Sequence, residues 1–291
     1  MGWRNNDATE TVPSKGRGAG KRNGGGGKGR GQGQGGKGRG KGGGKGQGGG
    51  KGRGPVEAAP MAPPPPGFFS NHPRFAETSD VASDLQRLDF RHRLIIEANA
   101  DLLTGKRVLD LACHDGRFSY AALEAGAAHV TGIEARADHT EAARENLRFH
   151  QVDESRWRFL EGDMFERIGE IEPGSIDTVM VLGFLYHTAR QYELFAAISA
   201  LGASAVILDS AILPRKKRAM VQLRWEKTGG PAQIWDGKRP QALSSIPSEP
   251  ALAAWLTEFG WTPAFVEPPQ PIPDSAGQYR KGKRIAMRGV R

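Results

Sequence analysis

From Thr78 onward the apolar residues recur first with a helical period and then with the period of buried strands. Ser79 is placed to cap a helix running to Leu103, with Val81, Leu85, Leu88, Ile95, Ile96, Leu102 and Leu103 supplying a partly helical apolar stripe. Strand and helix signals then alternate: strand 107–112, helix 116–124, strand 130–134, helix 138–149, strand 157–160, strand 176–182, helix 190–201, strand 205–209. A helix over 249–258 follows, and "WTPAFVE" and "KRIAMRG" read as two more strands that pair antiparallel at one sheet edge. The runs "VLDLA", "DTVMVLGF" and "SAVILD" are continuously apolar. Such strands are buried on both faces, which requires a parallel sheet flanked by helices. The pattern predicts a doubly wound α/β sheet, mostly parallel with an antiparallel edge.

Composition changes this picture only at the N-terminus. Residues 1–54 hold 24 of the 41 glycines, 13 of the 41 Lys+Arg and 2 of the 32 Asp+Glu, leaving 28 basic and 30 acidic residues over 55–291. The positive charge therefore sits on one appendage, and the folded part is close to neutral. Glycine loses the most backbone freedom on ordering and offers nothing to bury, so 1–54 is expected to be a disordered, low-complexity basic tail. Residues 55–67, with Pro63 to Pro66 consecutive, are expected to be an extended linker. The remainder, 68–291, is long enough for one α/β domain, divided into a leading helix (79–103), a core (105–210) and a C-terminal region (211–291). No apolar run approaches the roughly 18 residues of a membrane span. The lone Cys113 excludes an intramolecular disulfide and a cysteine metal cluster, so a soluble protein of the reducing cytoplasm, with no membrane partner and no metal, is expected.

In a doubly wound sheet, ligands bind beyond the carboxyl ends of the strands, where strand order reverses. After the first strand, Asp110 closes the strand, Ala112 to Asp115 form a tight loop, and Gly116 opens a helix whose free N–H groups favour an anion. After the second, Glu134 lies 24 positions beyond Asp110, where a carboxylate accepts two hydrogen bonds from a ribose diol. After the third, Asp163 can accept from an exocyclic amine while Met164 covers a purine face. These are the parts of a nucleoside site.

The constellation Asp110, Ala112, Cys113, His114, Asp115, Gly116, followed by Glu134 and by Gly162-Asp163, resembles that of the Rossmann-like (class I) S-adenosylmethionine-dependent methyltransferases over roughly 105–210. That family's first loop usually reads Asp/Glu-x-Gly-x-Gly-x-Gly, and Ala112 and His114 stand at two of its three glycines. A nicotinamide dehydrogenase needs both of those glycines bare for a pyrophosphate, so the crowded loop argues against it. The resemblance implies S-adenosyl-L-methionine as cofactor. It also implies that 68–291 is a methyltransferase domain, with Asp110, Ala112, His114, Asp115, Gly116, Glu134, Asp163, Met164 and Leu182 around the cofactor.

After the fourth strand, "VLGFLYHT" contains a Leu-Tyr-His element similar to that of wobble-uridine methyl- and carboxymethyl-transferases and some small-molecule methyltransferases. His187 is the candidate base, since imidazole titrates near neutrality, and Tyr186 its orienter. Two readings of His187 stand, base or loop buttress. Asp115 either meets the cofactor's ammonium group or caps the next helix. Asp209 either faces substrate or satisfies a loop.

The acceptor is left open between a small molecule, slightly favoured because the core is neutral, and an RNA tethered by the tail. "PRKKR" at 214–218 is either a phosphate contact at the cleft rim or a solvated loop. Residues 14–54 are expected to attract nucleic acid or another polyanion without sequence choice, having cations but no aromatic residue to stack on. A catalytically inactive polyanion-binding protein is the alternative of a different class.

Overall fold

The structure is a computed structural model, and it describes residues 66–79, 84–228 and 239–291. The expected disorder of the tail, the extended linker over 55–65 and the place of Val81 in the leading helix fall outside these residues.

In chain order the elements are α1 (Arg74–Glu77), α2 (Leu85–Ile95), β1 (Arg107–Leu111), α3 (Arg117–Glu124), β2 (His129–Glu134), α4 (Ala137–Phe149), β3 (Trp157–Glu161), α5 (Met164–Gly169) and β4 (Thr178–Leu182). They continue with α6 (Gln191–Ala200), β5 (Ala205–Ala211), β6 (Val221–Lys227), β7 (Gln241–Pro247), α7 (Glu249–Glu258), β8 (Thr262–Val266), α8 (Gly277–Arg280) and β9 (Arg284–Val290). Seven strands form one sheet in the order β3-β2-β1-β4-β5-β9-β8. The first five pair in parallel, and β9 and β8 close the edge antiparallel, as the sequence predicts. The chain steps outward from β1 to β3 and then returns to the other side of β1, so the strand order reverses between β1 and β4. This is the Rossmann-like arrangement, and it puts the cleft above the ends of β1, β2 and β4.

The continuous apolar runs are explained by the two layers. Val108, Val130, Met180 and Ile207 face one core, shared with Leu88, Leu94, Phe118 and Leu147 of α2 to α4. Their neighbours Leu109, Ile133, Val179, Val181, Val206 and Leu208 face the other, shared with Ile168, Leu194, Ile198 and Leu252. Gly132 in β2 is needed because a Cβ there would lie 2.4 Å from the Phe159 ring and 2.7 Å from the Cys113 sulfur.

Two readings of the pattern are corrected. The leading helix does not run unbroken from Ser79 to Leu103. α2 begins after Asp84, whose carboxylate accepts from the Arg87 backbone N–H at 2.8 Å. It ends at Ile95, and a separate 3-10 stretch, Glu97–Leu102, follows with Asn99 out of helical conformation. Asp84 stands directly before α2 and caps it, while Ser79 accepts from Arg117. The second correction is an addition. β6 and β7 form a separate antiparallel pair between β5 and α7, where the sequence pattern marked no element.

Among the described residues no helix is long and apolar enough to cross a membrane, and no His/Cys/Asp/Glu group is arranged to hold a metal ion.

Candidate functional site

A cavity of about 760 Å³ opens above the carboxyl ends of β1, β2 and β4. Its cofactor end is built from the loop after β1. Ala112 and His114 both take φ of 55° and Gly116 takes 75°, so three alternate positions are left-handed. That conformation explains why glycine is the residue expected at all three, since a side chain there costs roughly 1–2 kcal/mol. The loop is held by Cys113 N–H to the Ile133 carbonyl (3.1 Å) and by Glu134, whose carboxylate accepts from the backbone N–H groups of His114 (3.0 Å) and Arg136 (3.1 Å). The His114 ring lies 3.9 Å from that of His139 near the start of α4, and both residues line the cavity.

Of the sequence-predicted residues, Asp110, Ala112, His114, Glu134, Asp163, Met164, Leu182, Tyr186 and His187 line this one cavity. Asp115 and Gly116 do not. Asp115 is fully buried and spends its carboxylate on Arg117 (2.7 and 2.9 Å) and the Thr78 hydroxyl (3.2 Å). Burial opposes its charge, but Arg117 and His114 hold its carboxyl below the usual range. It therefore neither reaches the cavity nor caps α3, which has no side-chain cap. Gly116 serves packing: a Cβ there would come within 3.0 Å of the Ala143 Cβ, so it lets α3 start against α4.

Asp110 lies beneath the loop and accepts from the Ser119 hydroxyl at 2.7 Å. Burial, reinforced by the charge of Glu134 and partly offset by that hydrogen bond, pushes its pKa up to about 7. A raised acid contributes stability that is complete below its unfolded pKa near 3.9 and is lost as pH rises through about 7. Asp110→Asn should therefore flatten the loss of stability between pH 4 and pH 8 by about 1–4 kcal/mol, measured by urea unfolding. An identical pH slope in wild type and variant would refute the shift.

At the other end of the cavity the walls are cationic. Arg87 and Arg91 stand one helical turn apart on α2, and Arg284 starts β9. Asp209, fully buried at Leu182's partner position on β5, accepts from Arg91, from Arg284 through Nε and Nη2 (2.9 Å each) and from the Tyr279 hydroxyl (2.8 Å). One carboxylate thus answers two guanidinium groups. Burial and the charges of Arg91 and Arg284 lower the pKa of Arg87. Asp209 anchors this cluster, which decides its open reading in favour of a structural carboxylate. Arg284 also donates from Nη1 to the Tyr186 hydroxyl (3.1 Å). His187, in a 3-10 turn Leu185–His187, contacts both carboxylate oxygens of Glu226 on β6 through Nδ1 at 3.1 Å. Sequence reading missed Arg87, Arg91, Arg284 and Glu226. The i, i+4 spacing of Arg87 and Arg91 was a signal; the other two come from remote strands with none.

The residues fit an S-adenosylmethionine-like nucleoside. Glu134 keeps lone pairs beyond the two backbone bonds it accepts. Asp163 caps α5 with Oδ1 alone (2.8 Å to Phe165 N–H), and Met164 and Ile133 supply apolar surface beside it.

Comparison with known proteins points to methyltransferases. Residues 108–202 match a family model described as a methyltransferase domain. A tRNA U34 carboxymethyltransferase of Colwellia psychrerythraea is 27% identical over 179 residues, 60% of this chain and 50% of that protein. A ubiquinone biosynthesis O-methyltransferase of Neisseria meningitidis is 33% identical over 115 residues, 40% of this chain and 44% of that protein. The chain thus spans about half the length of these relatives or less. Among solved structures, the N-terminal domain of EvdMO1 with SAH bound superposes with a TM-score of 0.55 at 16% identity, covering 77% of this chain and 97% of that one. That likeness is one of fold.

Proposed function

We propose that this chain, which carries a methyltransferase domain over residues 108–202, is an S-adenosylmethionine-dependent methyltransferase whose acceptor is a small molecule with an anionic group. The observation that supports this reading is a single cavity lined by two acids, Glu134 and Asp163, which follow β2 and β3, and by Arg87, Arg91 and Arg284, which gather about Asp209 of β5. When bound, the cofactor supplies a methyl group already activated by its sulfonium. Glu134 would hold the sugar, Asp163 the base amine, and the loop at Ala112 to His114 the amino-acid end. The arginine wall would orient the acceptor, since Asp209 neutralises only one of its three cations. Alignment of this kind is worth about 7–11 kcal/mol of barrier. His187, on the cavity wall with Tyr186, would take the acceptor's proton, a role worth roughly 10²–10⁴-fold. The same cationic wall would also suit a carboxylate on the transferred group, the chemistry named in the tRNA U34 carboxymethyltransferases.

A second acceptor reading, RNA, is favoured by the exposed apolar residues of β6. Val221, Leu223 and Trp225 are exposed at alternate positions of β6, and Trp225 lies opposite Leu243, which lines the cavity. Arg215, Lys216, Lys217 and Arg218 precede them, exposed and without an ion pair among the described residues. An aromatic ledge beside free cations suits a single strand. On this reading the tail over 14–54 would add affinity without sequence choice.

The test is calorimetry of the full chain with S-adenosylmethionine, followed by incubation with labelled cofactor and cell extract fractionated into small molecules and RNA. Micromolar binding and a product heavier by one methylene are expected in the small-molecule fraction. Label in the RNA fraction that is lost with Trp225→Ala selects the second reading, and a carboxymethyl gain selects the alternative group. No binding at millimolar cofactor would overturn the enzyme in favour of an inactive polyanion-binding protein.

A further inference from the structure

The β6–β7 pair stands outside the seven-stranded sheet, yet it supplies part of the cavity wall. In its register Glu226 opposes Ala242 and Arg224 opposes Ser244, so these four residues share a face. Ala242 lines the cavity. From the same face Glu226 meets His187 Nδ1, while Arg224 braces the arrangement by donating to Glu226 (3.2 Å) and to the Ser244 hydroxyl (3.1 Å). Both partners are largely buried, with side-chain exposures of 18% for His187 and 21% for Glu226. Nothing among the described residues takes His187 Nε2.

We infer that Glu226 is a positioning residue for the transfer reaction: it accepts Nδ1–H of His187, so that the imidazole presents a bare Nε2 as proton acceptor on the cavity wall. This rests on the reading of the site as a methyltransferase with His187 as base. The tautomer of a histidine is set by the hydrogen bond its other nitrogen makes, and a carboxylate at Nδ1 also steadies the imidazolium that forms. In the step itself the acceptor's hydroxyl or amine proton passes to Nε2. A bond forms from that oxygen or nitrogen to the methyl carbon, the sulfur–carbon bond breaks, and its electron pair stays on sulfur. The groups facing His187 are Glu226 and Arg224 from β6, Arg284 from β9, and Tyr186, whose ring centroid is 4.2 Å away. Burial lowers the pKa of His187, Glu226 raises it, and the two arginines lower it. Removing the carboxylate should therefore lower it further.

The test uses nitrogen-15 labelled histidine in the intact chain, with His187 assigned by His187→Gln. Wild type should show the Nδ1–H tautomer for His187. Glu226→Gln should lose that preference and titrate at lower pH, and Glu226→Asp should restore part of both. In turnover, Glu226→Gln should lower kcat by roughly 10–10²-fold with cofactor affinity within twofold, and shift the acid limb of the pH profile downward. An Nε2–H tautomer in wild type, an unmoved titration in Glu226→Gln, or a variant that lowers cofactor affinity as much as kcat would overturn the assignment. The resonance arm needs no turnover, so an inactive wild type with the expected tautomer would fault the reaction and leave the histidine–glutamate pair standing.

Discussion

Replacing Asp209 with Asn should destabilise the fold by about 3–5 kcal/mol at pH 7. The carboxylate is fully buried and accepts from Arg91, Arg284 and Tyr279, so the substitution leaves two buried guanidinium groups facing a neutral amide. The amide's NH₂ also points donors at donors, which adds an unmet hydrogen-bond demand. For a domain of this size the loss corresponds to a fall in Tm of roughly 6–20 °C. The effect has a defined pH window. Burial alone would raise the Asp209 pKa, but Arg284 and Arg91 hold it far below the usual carboxylate range. A depressed acid contributes stability that is present above its unfolded pKa near 3.9 and is lost as pH falls through the folded value. The wild-type advantage should therefore be full at pH 7 and shrink steadily below pH 4. Calorimetric unfolding of both proteins at pH 7 and pH 3 measures it. A loss under 1 kcal/mol at pH 7 would mean that water, not the carboxylate, neutralises the arginines.

That cluster marks where sequence reading stops. The strand "SAVILD" was legible because apolar residues on both faces leave a continuous run, and the observed Ala205–Ala211 strand carries it. What Asp209 does there was not legible: its partners lie 118 positions earlier and 75 positions later in the chain, and no local spacing encodes such a meeting. The strands before the cleft and the antiparallel edge could be read from periodicity alone. β6 was missed although Val221, Leu223 and Trp225 alternate with polar residues, which is the period of a strand; what the alternation does not reveal is that these apolar residues stay exposed instead of facing a core. Asp115 misled for a related reason. Its position beside Gly116 suits a helix cap, but Arg117, two residues on, and Thr78 from a distant segment draw it away. Residues at strand ends were the most legible part of the cavity lining, because topology alone fixes where a strand end points.

Glu134→Ala should weaken S-adenosylmethionine binding by about 10²-fold or more. Two contributions add. On the proposed reading the carboxylate's remaining lone pairs accept from a ribose diol, and each hydrogen bond to a charged group is worth about 1.5–3 kcal/mol. Its other bonds, to the backbone N–H groups of His114 and Arg136, tie the first loop to the second. Without that tie, the left-handed conformations of Ala112 and His114 lose the contact that offsets their strain, and the loop that receives the amino-acid end slackens. Glu134→Gln keeps one acceptor oxygen and should fall between wild type and Ala. His114→Gly separates the two contributions: it removes the strain and the side chain but keeps the N–H bond to Glu134, so affinity should hold or rise. Calorimetric titration of the three variants gives the order His114→Gly, Glu134→Gln, Glu134→Ala from tightest to weakest. Undiminished binding in Glu134→Ala would place the sugar elsewhere and remove the basis for reading the strand ends as a nucleoside site.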